Sequence, residues 1–243
     1  MQLHINLRKR ISMSQKDQII QLLKEKSVMK QDVYKNTKVA FSVFKSAISE
    51  VTEELKSEAK EIDSRINIDC TSVGDYQMEL KVAGDVLVFY MHTNVFEFDK
   101  SHPMYKTGYI KENHYNSYSG IIYIYNFLSD SFKYNRLNDL GYLIARVFIN
   151  RESKFFIESK PTLGYKYQNF SPAPPDKEVI KEIIQELIVY CIGFDLFTPP
   201  SQAVNEISVN EIQERVQSDR LKTGKRLGFR LQSDSHLGDE IIS

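Results

Sequence analysis

Imidazole and carboxylate side chains are good ligands for zinc, manganese or iron, and this sequence gathers several in one stretch. His92, His102 and His114 fall within residues 92–114, beside Glu97, Asp99 and Glu112. Convergence on one ion would make a metal-dependent hydrolase, but no compact signature such as His-Glu-x-x-His forces it. The same stretch carries Tyr105, Tyr109, Tyr115 and Tyr118 among Asn113, His114, Asn116 and several lysines. Tyrosine offers a large contact area at low entropic cost, and asparagine offers adaptable hydrogen bonds, which together suit a recognition surface. Residues 99–119 read as a break between strands, and structureless connections beyond about 12–15 residues are usually functional or disordered. The leading expectation is a non-catalytic binding or assembly protein without a cofactor. Its contact residues would be Tyr105, Tyr109, His114, Tyr115 and Tyr118.

Two other patterns point to different chemistry. Glu79-Leu80-Lys81, with Asp69 upstream and Glu50 or Glu54 as a helical acid, resembles the strand-borne Glu-x-Lys of the PD-(D/E)XK nucleases. The resemblance implies carboxylates that hold Mg²⁺ and a lysine that helps activate water or stabilises developing charge. It rests on a three-letter pattern that any polar strand face can show. Residues 32–49 have the spacing of a helix-turn-helix, with a second helix from about Phe41 available for the major groove of DNA. Lys38 stands where the turn usually has glycine, and acidic residues follow from Glu50. Lys222 to Arg230 is basic and glycine-containing but lacks the glycine spacing of a phosphate loop.

Composition narrows these options. The 243 residues hold 32 Lys+Arg and 32 Asp+Glu, so the net charge is zero and global electrostatics give nucleic acid no support. Cys70 and Cys191 are too few for a disulfide framework or a cysteine zinc site. No run approaches the roughly 18–20 apolar residues of a membrane span, so a cytoplasmic protein with no membrane partner is expected.

The elements that must position these residues read as α+β. Residues 1–73 lack Gly and Pro, which favours long helices. Ser14 can cap one carrying Ile19, Ile20, Leu22 and Leu23. From about 36 to 62, Phe41, Phe44, Ile48, Val51, Leu55 and Ile62 make one apolar stripe with Ala59 in the gap. That stripe covers a sheet or pairs with a second copy as a homodimer. After Arg65 the pattern turns to alternation: strands over 66–70, 76–83, 86–98, 121–127, 142–149 and 155–158, joined by short turns and so mostly antiparallel. Ser171 to Pro175 is a rigid linker, and Asp176 caps an amphipathic helix ending near Gly193 that packs on the sheet. The expected organisation is a helical segment over 1–64, a sheet plus C-terminal helix over 65–197 sharing one core with the first helix, and a mobile polar tail over 198–243.

Overall fold

The computed structural model describes residues 14–159, 166–196, 198, 206 and 208–210. All but a few residues of the tail expected over 198–243, including Lys222–Arg230, lie outside the described residues.

The described residues begin with one continuous helical rod. Ser14 caps α1 (Gln15–Leu22) by accepting the Asp17 amide, a five-residue π-helical stretch follows (Leu23–Ser27), and α2 runs over Val28–Ile62. With no Gly or Pro to stop it, the helix passes straight through residues 32–49. Lys38 sits in mid-helix, so the expected helix-turn-helix does not exist. Phe41, Phe44, Ile48 and Val51 are buried against the sheet and the last helix, as the stripe requires. The stripe fades at its end, where Leu55 is only partly buried and Ile62 is exposed.

The sheet has β1 (Ile68–Val73), β2 (Gln77–Val82), β3 (Asp85–Met91), β4 (Phe96–Glu97), β5 (Tyr118–Leu128), β6 (Tyr142–Asn150) and β7 (Phe155–Ser159). Six strands lie in the order β1-β2-β3-β5-β6-β7, all antiparallel. The two-residue β4 pairs on β5 at Phe96↔Ser119, beyond the end of β3. The single strand expected over 86–98 is therefore two. The chain leaves the ladder after Met91, and the Asn94 amide donates to His92 Nδ1 in the break. Between β5 and β6 lies α3 (Ser129–Lys133). Asp176 accepts from the Val179 amide to start α4 (Lys177–Ile192), which buries Ile180, Ile183, Ile184, Leu187, Ile188 and Cys191.

Strand alternation sends Leu80, Leu87, Phe89, Ile122, Ile124, Val147 and Ile157 toward the helices, where they form the main core with α2 and α4. α2 comes close to the sheet at Gly120, where an added Cβ would lie 2.1 Å from Thr37 Oγ1. The glycine lets the helix rest directly on β5. Ion pairs Lys181–Glu54 (2.6 Å) and Lys177–Glu50 tie the two helices along their rim. The opposite face of the sheet is built differently, and it carries the candidate site.

Candidate functional site

Residues 99–117 are not a structureless loop. They fold into a 3-10 turn (Pro103–Lys106), a one-turn helix (Gly108–Glu112) and a second 3-10 turn (His114–Ser117), and Tyr118 already belongs to β5. Met104 and Ile110 are buried against Ile121, Phe148 and Phe156, with Phe98 and Phe170 beside them. The excursion is thus a roof over half of the second sheet face.

Within this packing the tyrosines expected to form a contact surface have hydrogen-bond partners in the chain itself. Tyr118 is buried and its hydroxyl donates to Glu97 at 2.6 Å; Tyr105 reaches the same carboxylate at 3.3 Å. Tyr109 donates to Glu152 at 2.8 Å and accepts from Asn150 Nδ2 at 2.7 Å. Tyr115 donates to Glu25 at 3.3 Å. Each hydroxyl is committed to a carboxylate, as half-buried phenols require. The hydrogen bond from Tyr118, with help from His114, Tyr105 and Lys26, holds the Glu97 carboxyl below the usual carboxylate range despite partial burial. Burial first, then the Glu152 carboxylate, pushes the Tyr109 phenol up. His114 remains exposed, its Nε2 3.3 Å from Glu97.

The histidines do not converge. His92 takes up the Asn94 amide, with its ring 4.8 Å from Phe96. His102 accepts the Met104 amide at Nδ1, so its proton sits on Nε2 and is donated to Glu158 at 2.9 Å. Glu158 also receives Arg146 Nε at 2.8 Å. Burial of Glu158 works to raise its carboxyl. The bonds from His102 and the Arg146 guanidinium outweigh that and hold it low. Among the described residues no group of three or more His, Cys, Asp or Glu side chains could hold a metal ion.

Of the nuclease-like residues, the β1–β2 register sets Asp69 opposite Lys81. Glu79 and Lys81 share a face of β2, but Glu79 accepts from Gln77 at 2.9 Å and Asp69 is paired with Lys56 at 3.1 Å. The chain then turns straight into β3 rather than into a helix.

What the strands also bring together is a row of tyrosines on the second face beside the roof, with Tyr123 packed against the roof's cluster. Cross-strand pairing sets Gln77 beside Tyr90, Tyr90 beside Tyr123, and Tyr123 beside Arg146. Tyr125 follows on the same face, opposite Val88. The Tyr90 and Tyr123 rings are 6.4 Å apart and within 18° of parallel; Tyr123 and Tyr125 are 6.0 Å apart. Tyr90 is exposed and the other two are half-buried. Burial raises the Tyr123 and Tyr125 phenols, with Arg146 pulling the other way. Glu79 and Lys81 add one charge of each sign at the margin. The alternation of Tyr123 and Tyr125 with Ile122, Ile124 and Asn126 was the available sequence signal, hidden because the whole strand reads as apolar.

Comparison with protein-family models, with curated proteins and with solved structures gives no match for this chain.

Proposed function

We propose that the chain is a non-catalytic recognition protein that receives a protein partner on the open half of its sheet. The observation that carries this reading is the Tyr90–Tyr123–Tyr125 row, held by a rigid antiparallel ladder and flanked by Glu79, Lys81 and Arg146. Aromatic side chains and arginine are enriched where proteins meet, and mixed flanking charge suits a polypeptide better than a polyanion. The roof residues contribute by fixing the edge of that surface. Of the contact residues expected there, His114 is exposed and Tyr105, Tyr109 and Tyr115 are partly exposed.

Affinity capture of the tagged chain from its native cells tests the proposal. A specific polypeptide should come down with the wild type and with Tyr134→Ala, a control ring 37% exposed elsewhere. Tyr90→Ala/Tyr125→Ala should weaken the purified pair by roughly thirtyfold or more, the loss typical of an interface hot spot. Equal recovery with all three proteins would refute it.

A further inference from the structure

We infer that the connection between β5 and β6 is a second contact element, with Leu137 and Leu140 entering an apolar pocket of the polypeptide that the tyrosine face receives. The assignment rests on the proposed role of that face. The connection is built inside out. Ser131 is buried, and the Arg136 and Asp139 side chains are only 7% and 13% exposed. Leu137 and Leu140 are 85% and 75% exposed. A lone surface leucine is ordinary, but charged groups turned inward beneath apolar ones turned outward are not.

The polar interior holds the apolar exterior in place. Ser131 Oγ donates to Asp139 at 2.7 Å, and the Arg136 guanidinium lies 3.9 Å from the same carboxylate. The Arg136 and Asp139 amides donate to the Ser131 and Arg136 carbonyls at 2.8 and 3.0 Å. Asn135 takes the left-handed conformation between them, with φ at 51°. A connection fixed in this way loses little freedom on binding, which suits anchor residues.

Place and chemistry name the occupant. Phe127 shares a face of β5 with Tyr123 and Tyr125. Its ring meets Phe132 of α3 edge-on at 5.5 Å, and Gly141 abuts it, where an added Cβ would lie 2.2 Å away. Phe132 is 43% exposed, so the tyrosine row continues through Phe127 and Phe132 into the connection. Tyr134 is taken up by the chain itself, with Lys133 Nζ and Arg136 Cζ 4.6 and 5.2 Å from its ring centroid. A lipid surface would have to take in Asn138, between the two leucines, without a hydrogen-bond partner. A protein pocket with a polar rim supplies one.

The test uses the full chain and the polypeptide it recovers from its native cells. Leu137→Ser/Leu140→Ser should weaken the purified pair by roughly tenfold or more, as loss of anchor side chains does. Leu137→Met/Leu140→Met keeps volume and polarity and should bind within about threefold of wild type. Both positions are exposed, so the urea midpoints of these variants should match the wild type. Benzoylphenylalanine placed at position 137 should photo-crosslink to that same polypeptide. Equal binding by the serine variant, with Tyr90→Ala/Tyr125→Ala still weakened, would overturn the assignment and leave the tyrosine face standing. Loss with the serine variant but not with the tyrosine variant would sink the reading of the face, and the continuity argued from it. Recovery of no specific polypeptide would refute both. Flotation of the wild type with phosphatidylcholine vesicles, abolished by the serine substitutions, would make lipid the occupant and reject a protein pocket.

Discussion

Substituting Gly120 with alanine places a methyl group into the contact that seats α2 on β5. The new Cβ would stand 2.1 Å from Thr37 Oγ1 and 2.9 Å from both Thr37 Cβ and Cγ2. Thr37 cannot easily yield. It is β-branched, fully buried, and its hydroxyl donates to the Val33 carbonyl at 2.7 Å. The neighbouring Asn36 fixes the helix to the end of β6 by donating to the Arg151 carbonyl at 2.8 Å. The overlap must therefore be relieved by shifting the helix, at the upper part of the overpacking range, about 2–3 kcal/mol. For a chain of this size that is a fall in Tm of about 4–12 °C. Thr37→Ala removes Oγ1 and Cγ2 but leaves Cβ, so it relieves most of the clash. In that background Gly120→Ala should cost at least about 1 kcal/mol less than in the wild type. Urea unfolding of the four proteins of this cycle, followed by circular dichroism, gives both numbers. If Gly120→Ala lies within about 0.5 kcal/mol of wild type, or the two substitutions simply add, the close approach of α2 to β5 is not the seat of the helix.

Two further outcomes follow from named contacts. Glu158→Gln should cost about 1–3 kcal/mol at neutral pH, because Arg146 and His102 lose a charged acceptor. The Glu158 carboxyl is held below its unfolded value, so its contribution is complete above about pH 4.3 and lost as pH falls further. Urea midpoints of wild type and variant should converge in acid, and a constant gap across pH would contradict this. Asp176→Ala removes the acceptor of the Val179 amide and should cost about 1 kcal/mol, read as a lower urea midpoint with an unchanged slope.

The legible parts of the fold were those set by local pattern. The last helix could be read from Asp176 and the spacing of Ile180, Ile183, Ile184 and Leu187, because a capped 3.6-residue period has no other use. The strands on either side of Gly74 and Gly84 could be read from alternation and turn residues. The break in the strand after Met91 was masked because Phe96 and Phe98 are apolar for the sake of the roof, not of a continuing ladder. Helical pieces of four or five residues in 103–117 fall below the length at which periodicity shows. The open tyrosine row needed knowledge that β3 pairs with β5 across the inserted residues. That pairing is non-local, and no window of sequence displays it.

Because the roof over 99–117 is spliced between two strands that keep their pairing to each other, the sheet works as a partition wall. Phe148, Phe156 and Ile121 are the tenants on one side; Ile122, Val147 and Ile157 belong to the other. A lineage could lengthen, shorten or recolour the inserted piece while the helix-bearing side kept its own furnishing. Novelty in this architecture would then accumulate on a single side of the molecule.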